Sequence, residues 1–457
     1  MVHTFKYDYD DTTTYYFIYD VESGSISSVD YIAYLCAKKN YNNDFVGTED
    51  ADYKQLAQKD IEEVNGEFAE LEEEGNLNTE ALITTFKKDT RWVKALCLHI
   101  CHDCNLRCIY CFAKDGSYNT PRDYMTLEVG KKSIDFILAN SGPRTNLEVD
   151  FFGGEPLMNF QVVKDIVAYA KIEAEKLGKK FLFTMTTNCV LLNKDTREFL
   201  EEEMDNVVLS IDGRAKVHNA VRKTISGVPC YDLIKNNALE MRKLRGDKRY
   251  YARGTFTANN LDFGKDILEL NDMGFDQISI EPVVLPAEDP LAITEEHLPK
   301  ILVEYDKFAK EYLKRRHDGS GRWFNFFHFM IDLDHGPCVT KRLTGCGCGT
   351  EYLAVTPVGD IYPCHQFVGK EEFKMGTVFD GIEREDMREQ FSNINVLNKK
   401  HCKECFAKFY CGGGCTANAY NFTNDLNGQY KIACEMTKKR LELSLAIACI
   451  EKMRENY

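Results

Sequence analysis

Apolar runs alternate with amphipathic stretches through the middle of the chain, from residue 93 to residue 313. Short runs rich in β-branched and aromatic residues predict strands, and longer stretches with apolar positions three and four apart predict helices. Six strand–helix units in succession predict an α/β fold, a partial (β/α)6 barrel with functional groups at the C-terminal ends of its strands. The predicted strands are Val93–Ile100, Leu147–Phe152, Phe181–Thr187, Val207–Ile211, Tyr250–Thr257 and Gln277–Pro282, and helices include Leu127–Ala139, Phe160–Leu177 and Glu296–Lys314.

The first eighty residues have a different pattern, which predicts a small separate module. An aromatic and β-branched run, a turn over 22–25 and a second short run predict a β-hairpin. Three helical stretches follow, so the module resembles a winged helix, although its many acidic residues argue against DNA binding. The hairpin strands are Tyr15–Val21 and Ile26–Val29, and the helices are Tyr31–Lys38, Ala51–Asp60 and Glu62–Glu74.

Net charge and the absence of long apolar runs argue against nucleic-acid-binding, membrane and secreted proteins. The chain has 457 residues and a formal net charge of −15, which disfavours nucleic-acid binding. Neither a run long enough to span a membrane nor a secretory signal is visible, so a cytoplasmic protein without a membrane partner is expected.

Cysteine content is the unusual feature, because 18 thiols in a reducing compartment point to metal rather than to disulfides. Most of them fall into three groups, and zinc and iron–sulfur clusters are the candidate metals. The C-terminal region from Asp318 is rich in Gly and Cys, ends in a predicted helix over Cys434–Asn456, and is predicted to be organised by metal. Four isolated thiols are expected to be ordinary buried side chains: Cys36, Cys189, Cys230 and Cys449.

The first cysteine motif directly follows the first predicted strand and has the spacing C-x3-C-x2-C, formed by Cys104, Cys108 and Cys111. Three thiolates on a short loop can hold three irons of a [4Fe–4S] cube and leave the fourth iron open. An open iron can chelate the amino and carboxylate groups of S-adenosylmethionine (SAM). The alternative is a zinc loop that lacks one ligand.

Polar clusters follow three further predicted strands. Gly153-Gly154-Glu155 follows the second strand, where the glycines permit close backbone approach and the carboxylate can bind an ammonium group. Thr187-Asn188 ends the third strand, and Ser210 and Asp212, which can bind ribose hydroxyls, end the fourth. Each cluster alone is an ordinary strand-end turn, but four successive clusters are less easily attributed to chance.

Over residues 93–316 these motifs resemble the radical SAM enzymes. The resemblance implies that Cys104, Cys108 and Cys111 ligate the catalytic cluster and that the remaining motif residues bind SAM. By position, Tyr110 would lie near the adenine, Gly153, Gly154 and Glu155 at the methionine amino group, Ser210 and Asp212 at the ribose, and Arg253 at the methionine carboxylate. Cys189 stands where many relatives have Gly.

The second and third cysteine groups are similar to the SPASM domain, which holds two auxiliary [4Fe–4S] clusters. The pattern reads C-x2-C-x5-C-x3-C with a later Cys, preceded by C-x12-G-x4-C. The resemblance implies an outer cluster on Cys402, Cys405, Cys411 and Cys434, and an inner cluster on Cys346, Cys364 and Cys415. The fourth inner ligand stays open between Cys338, Cys348 and a substrate thiol.

The residue after Cys364 and the N-terminal module distinguish two groups of enzymes that this chain resembles. Anaerobic sulfatase-maturating enzymes carry an Asp base there, whereas this chain has His365, and they lack a module like residues 1–80. The whole chain is most similar to the thioether-forming maturases of "six cysteines in forty-five" precursor peptides. That resemblance divides the chain into a leader-recognition module (1–80), a radical SAM barrel (93–316), a bridging region (317–340) and a SPASM domain with the closing helix (341–457).

The resemblance implies three [4Fe–4S] clusters, SAM, a Cys-rich precursor peptide with a leader, and an electron donor such as ferredoxin or flavodoxin. A 5′-deoxyadenosyl radical would take hydrogen from a carbon of an acceptor residue, Thr in this family. A peptide Cys sulfur, having lost its proton, would then bond to that carbon, and the auxiliary cluster would accept the leftover electron. The alternatives are radical formation of formylglycine, as in sulfatase maturation, or of an epimer. The non-enzyme alternative is a zinc-organised winged-helix binding protein.

Overall fold

The N-terminal module is built on three antiparallel strands, which the sequence pattern only partly predicted. The computed structural model describes residues 1–81, 83–89, 91–334 and 338–455. The predicted hairpin is present, and a further strand at the start of the chain pairs with it. In order the elements are β1 (Val2–Asp8), β2 (Thr14–Asp20), β3 (Ile26–Val29), α1 (Tyr31–Ala37), α2 (Glu49–Lys54) and α3 (Gln58–Glu73), and the strand order is β1-β2-β3.

The predicted helix over Ala51–Asp60 is wrong, because two helices meet within that range. Helix α2 ends at Lys54, Ala57 is extended, and α3 begins at Gln58. The break lets the apolar side chains of Leu56 and Ile61 pack against the same small core, which one straight helix would direct differently.

All six strands predicted for the middle of the chain are present, with ends that differ by at most two residues from the prediction. They pair in parallel in sequence order, and helices connect them. The strands are β4 (Ala95–Cys101), β5 (Asn146–Gly153), β6 (Lys180–Thr187), β7 (Asn206–Ser210), β8 (Tyr250–Phe256) and β9 (Gln277–Pro282). The helices are α4 (Leu127–Asn140), α5 (Phe160–Lys176), α6 (Lys194–Glu203), α7 (Ala215–Val221), α8 (Tyr231–Arg245), α9 (Gly264–Asp272) and α10 (Leu298–His317).

The Cys-rich C-terminal region extends this same sheet. Strand β10 (Asn325–Phe326) pairs with β9 at one edge, and β11 (Tyr352–Val355) pairs in parallel with β4 at the other. Three antiparallel strands continue beyond β11, so the sheet has eleven strands in the described part of the chain. They are β12 (Asp360–Tyr362), β13 (Gly376–Thr377) and β14 (Gly381–Ile382).

Five helices complete the C-terminal region as the structure describes it: α11 (Val339–Thr344), α12 (Glu385–Ser392), α13 (Lys408–Cys411), α14 (Thr416–Thr423) and α15 (Lys431–Glu455). The predicted closing helix is present and begins three residues earlier than expected, at Lys431; Asn456 lies outside the described residues. None of the described helices is long and apolar enough to cross a membrane.

Alternation along the strands separates the two faces of the sheet. Leu209, Ala252 and Ile278 share one face and are fully buried in the main core. On the opposite face, Ser210 pairs with Arg253, which is exposed. Because successive side chains point to opposite faces, one face holds the core and the other is a polar surface available for ligands.

The N-terminal module packs on the C-terminal region through its sheet. His3 of β1 stacks on Phe406 with ring centroids 3.6 Å apart, and its Nε2 lies 3.0 Å from Glu442 of α15. Glu22, just after β2, forms an ion pair with Lys408, and both side chains are buried. The module is therefore anchored to the loop between Cys405 and Cys411.

Candidate active site

The loop of the first cysteine motif leaves the C-terminal end of β4. Its backbone runs against the segment after α7, where the Arg107 and Ile109 amides donate to the carbonyls of Lys223 and Val221 at 2.7 and 2.9 Å. The thiols of Cys104, Cys108 and Cys111 are partly exposed and close enough to interact electrostatically. The structure thus brings together the three thiols that the spacing predicts.

The chemistry of this loop fits a soft metal centre with one ligand missing. Burial raises the pKa of the Cys104 and Cys108 thiols to about 12, so ligation requires a metal that displaces their protons. Asn188, at the end of β6, places its Nδ2 3.6 Å from the Cys104 sulfur and donates to Asn105 at 2.7 Å. A polar donor therefore already faces a predicted ligand sulfur.

Two glycines, the last residue of β5 and the residue after it, let that strand end touch the start of the cysteine loop. Gly153 has φ +113°, a conformation that side chains disfavour, and a Cβ on Gly154 would lie 1.8 Å from the carbonyl oxygen of Asp103. The Gly154 and Glu155 amides donate to the carbonyls of Cys101 and Asp103, both at 2.9 Å. The Gly-Gly pair therefore locks the second strand end onto the cysteine loop.

Glu155 is buried and bonded on both carboxylate oxygens. It accepts from Leu157 N at 3.1 Å, from Thr187 Oγ1 at 2.9 Å and from Asn188 N at 2.7 Å. Burial raises its pKa to about 7 despite these bonds. Cys189, the residue after Asn188, has φ +68°, a backbone conformation that favours glycine.

Asp212 lies in a buried ion pair directly behind the cysteine loop. Arg222 donates to both carboxylate oxygens at 2.8 and 3.2 Å, Tyr110 Oη donates at 2.7 Å, and Thr255 N donates at 3.0 Å. Burial alone would raise the pKa of Asp212, but the Arg222 guanidinium and these bonds hold it below the usual value. Arg222 also lies 5.6 Å from the centroid of the Tyr110 ring.

These contacts refine the predicted SAM site. The carboxylates of Glu155 and Asp212 are bonded to protein donors, so ammonium and ribose groups would meet backbone atoms there, or displace those bonds. Arg253, by contrast, is exposed on the polar face, where it interacts electrostatically with Glu281, His328 and His365. It is the strand-end cation best placed for a carboxylate ligand.

A polar group that the sequence analysis missed lies beside Arg253. Glu281, at the end of β9, is 3.1 Å from His328 Nε2, and Arg440 of α15 is 3.0 Å from His328 Nδ1. The sequence indicates this group only through an acidic residue at a strand end, in Ile280-Glu281-Pro282. The partners of Glu281 come from a loop and a helix far along the chain, so no local pattern predicts them.

The four cysteines predicted for an outer cluster line a single cavity of about 80 Å³ in the C-terminal region. Lys399, Lys408 and Lys438 also line it, which suits a centre carrying negative charge. Within the described residues, no three His, Cys, Asp or Glu side chains converge tightly enough for a single metal ion. The thiols thus do not form the compact tetrahedron of a zinc site, in which each sulfur lies about 2.3 Å from one ion.

Four thiols of the predicted inner group lie close together, and the fifth candidate, Cys338, lies apart from them. Cys346 and Cys415 are exposed, Cys364 and Cys348 are buried, and all four interact electrostatically. Cys338 is exposed and does not contribute to these interactions.

His365 joins this inner group to the cysteine loop. Its ring lies 5.6 Å from that of Phe112, which follows Cys111, and 5.1 Å from that of Phe152 in β5. Its buried Nδ1 has no hydrogen-bond partner among the described residues, and burial lowers its pKa to about 4. A neutral imidazole thus lies between the predicted catalytic loop and a predicted inner ligand, Cys364.

Comparison with known proteins agrees with this geometry. A family model described as a 4Fe-4S single cluster domain matches residues 93–227. The cysteine-type anaerobic sulfatase-maturating enzyme of Clostridium novyi is 22% identical over 356 residues, which cover 75% of this chain and 93% of the relative. The comparisons thus support a similarity of this chain to maturases of the radical SAM/SPASM type.

Solved structures share the fold. The structure of anSMEcpe with bound AdoMet (SAM) and Cp18Cys peptide matches with a TM-score of 0.65 and 20% identity, covering 79% of this chain and 99% of the other. Streptococcus suis SuiB bound to its precursor peptide SuiA matches with a TM-score of 0.51 and 16% identity, covering 92% and 96%. Proteins whose structures contain a bound peptide are therefore among those whose fold this chain shares.

Proposed function

We propose that this chain is a radical SAM maturase that forms thioether crosslinks in a Cys-rich, ribosomally made precursor peptide. The observation that carries the proposal is the position of His365. Its ring contacts Phe112, which follows the first cysteine motif, and Phe152 of β5, so the residue after Cys364 lies beside the loop of the proposed catalytic cysteines. This proximity supports a reaction between a carbon radical and a sulfur, since reacting groups need fixed close placement.

Three [4Fe–4S] clusters fit the three thiol groups. Cys104, Cys108 and Cys111 would hold the catalytic cluster, and the outer set would hold the cluster of the 80 Å³ cavity. The inner set of Cys346, Cys364 and Cys415 would hold the third. When bound, the catalytic cluster would pass one electron from a donor such as ferredoxin or flavodoxin to SAM, which would cleave into methionine and a 5′-deoxyadenosyl radical.

The chain's own residues would orient the reactants around this chemistry. Arg253 would bind the methionine carboxylate, since its guanidinium is exposed at a strand end, where Glu281 is the acidic side chain near it. Gly153, Gly154 and Glu155 would present backbone groups to the amino group, and Ser210 would face the ribose. Tyr110 would lie near the adenine, held by Asp212, which fixes the Tyr110 hydroxyl at 2.7 Å.

The N-terminal module would bind the leader of the precursor. Strand β3 is an edge of its sheet in the described residues, and an unpaired edge can accept an extended peptide as an additional strand. The opposite edge strand, β1, is packed against α15. The geometry therefore favours β3 as the docking edge.

The catalytic assignment is tested by replacing Cys104, Cys108 and Cys111 together by Ala. We expect 5′-deoxyadenosine production to be lost while about two-thirds of the iron remains, because the other clusters use other ligands. Continued cleavage of SAM by the triple variant would refute the assignment.

The reaction type is tested by the product mass of the precursor peptide after incubation with the reduced enzyme. Each thioether removes two hydrogens from the peptide, one from the acceptor carbon and one from the thiol. Formylglycine formation from Cys would instead replace the thiol by an aldehyde oxygen, and epimerisation would leave the mass unchanged. Either outcome would overturn the thioether proposal and leave the radical-enzyme assignment standing.

Leader docking is tested at the β3 edge with Ser27→Pro and Ser28→Pro, since successive amides of a strand point to opposite sides. In one of the two variants, proline removes an amide that points away from β2, toward the free edge of the sheet. This variant should weaken peptide binding without lowering the melting temperature of the enzyme. In the other variant, proline removes an amide that points toward β2, so this variant should disrupt the β2–β3 hydrogen bonds and lower the melting temperature. Unchanged peptide affinity in both variants would exclude β3 as the docking edge.

A further inference from the structure

Three strongly exposed apolar side chains lie at the loop of the first cysteine motif. Ile225 is 65% exposed, and Ile109 and Val228 are each 55% exposed. Ile109 directly follows Cys108, a proposed ligand of the catalytic cluster. Single apolar residues on a surface are ordinary, whereas neighbouring ones indicate a surface that another molecule covers. Together, Ile109, Ile225 and Val228 form the loop patch.

Backbone hydrogen bonds hold the two halves of the loop patch together. The Ile109 amide donates to the Val221 carbonyl at 2.9 Å, and the amide two residues before Ile109 donates to the Lys223 carbonyl at 2.7 Å. The turn over 224–228 follows directly and carries the other two side chains of the patch. Because these contacts join backbone atoms, the patch has a fixed position on the cysteine loop.

The segment that carries the turn is basic, although the whole chain has a net charge of −15. From residue 213 to residue 231 the sequence has four Lys or Arg residues and no Asp or Glu. Arg214 and Arg222 are paired with carboxylates, whereas Lys216 and Lys223 are exposed and have no ion pair in the described residues. Free positive charge therefore accompanies the loop patch, which favours an acidic partner.

We propose that the loop patch, with Lys216 and Lys223, is the docking surface for an acidic ferredoxin that reduces the catalytic cluster. This inference rests on the proposed function, which assigns that cluster to Cys104, Cys108 and Cys111. Reduced ferredoxin would lose one electron, the cluster would gain it, and no bond would form or break. A donor seated on the loop patch touches the loop that carries the ligands, so the electron would cross only a short stretch of protein.

The kind of surface and its position both favour an electron donor over other occupants. Electron-transfer complexes are weak and use small interfaces, which suits a patch of three apolar side chains beside free lysines. Iron–sulfur proteins such as ferredoxins reach the low potentials that reductive cleavage of SAM requires. The precursor leader, by contrast, is proposed to dock at β3, in the module that packs on the C-terminal region.

The first test measures the affinity of the full-length holoenzyme for an acidic [4Fe–4S] ferredoxin by isothermal titration calorimetry. Ile225→Ser should weaken binding about tenfold, because an apolar side chain is lost from the interface. Lys223→Glu should weaken it about fivefold at low salt, because an attraction becomes a repulsion, and less at high salt. The matched controls are Val303→Ser and Lys310→Glu on the exposed side of α10, and neither should change the affinity.

The second test compares SAM cleavage driven by ferredoxin with cleavage driven by dithionite, a small reductant that needs no docking surface. The ratio of the two rates should fall in both patch variants and stay constant in both controls. Wild-type affinity and ratio in both patch variants would overturn the docking proposal.

Two other occupants of the loop patch are distinguished by the same variants. Loss of precursor affinity, or of self-association in sedimentation, with ferredoxin affinity unchanged would assign the patch to the peptide or to a second copy of the chain, and would overturn the proposal. Absence of SAM cleavage with either reductant in the wild-type holoenzyme would instead refute the proposed function, so the two failures are distinguishable.

Discussion

The buried pair of Asp212 and Arg222 should be among the most sensitive points of the fold. In Asp212→Asn the shape is kept and the negative charge is lost, which leaves the Arg222 guanidinium buried without its counter-charge. Asp212 and Arg222 are only 1% and 7% exposed, so solvent offers little compensation. Removal of one partner from such a pair costs about 3–5 kcal/mol.

Tyr110→Phe is the matched control, because it removes one hydrogen bond to the same carboxylate and keeps the ring beside Arg222. The loss of one bond to a charged acceptor should cost about 1.5–3 kcal/mol. The assay is urea unfolding of the full chain followed by the fluorescence of Trp92 and Trp323, with midpoints compared where the slopes agree.

The pH dependence has a definite sign. The folded-state pKa of Asp212 lies below its ordinary value, so the stabilisation from the charged pair is present above that ordinary value and is lost as the pH falls through the lower, folded-state value. Asp212→Asn should remove this acid sensitivity. A loss of stability below about 1 kcal/mol in Asp212→Asn, together with a large loss of SAM affinity, would refute the ion-pair role and favour direct contact with ribose.

Three further predictions concern the glycine contact, Glu155 and the inner cluster. Gly154→Ala should destabilise the chain by about 3 kcal/mol in urea unfolding, because its Cβ would meet a backbone oxygen at 1.8 Å. The control is Gly66→Ala in α3, where a Cβ would meet no atom within 4 Å, and its stability should be unchanged or rise by up to about 1 kcal/mol. Since burial raises the pKa of Glu155 to about 7, stability should fall as pH rises from about 4.5 to 7, and Glu155→Gln should flatten that slope. Precursor peptide should perturb the auxiliary-cluster spectrum, and a peptide with Cys changed to Ala should not, if the inner cluster has a position open to a substrate thiol.

The strands of the parallel sheet could be predicted because each is a short apolar run with a strong local signal. The sheet's continuation through β11 to β14 could not, because strands such as Gly376–Thr377 are two residues long and owe their existence to partners elsewhere in the chain. The helix break before Gln58 was missed for a related reason, since core packing rather than local propensity decides it.

The thiol groups were predictable from spacing, but their surroundings were not. Residue types at strand ends predicted ligand contacts for Glu155 and Asp212, yet the structure engages both carboxylates with protein donors. Thr187, one of these donors, was predicted as a strand-end polar residue but without a partner, and Arg222 gave no signal beyond proximity in sequence to Asp212. The partner of a buried carboxylate is set by tertiary packing, which a linear pattern does not contain.

Sheet continuity explains how thiols far apart in sequence could serve one reaction. The loop of the first cysteine motif leaves the end of β4, and β11, which pairs in parallel with β4, leads through β12 to Cys364. The two groups are therefore linked by backbone hydrogen bonds across neighbouring strands rather than by a flexible linker. A reactive carbon radical needs its partner sulfur at a fixed distance before water or protein intervenes. Within the proposed function, the C-terminal region is thus better understood as an extension of the catalytic sheet than as an attached electron-transfer domain.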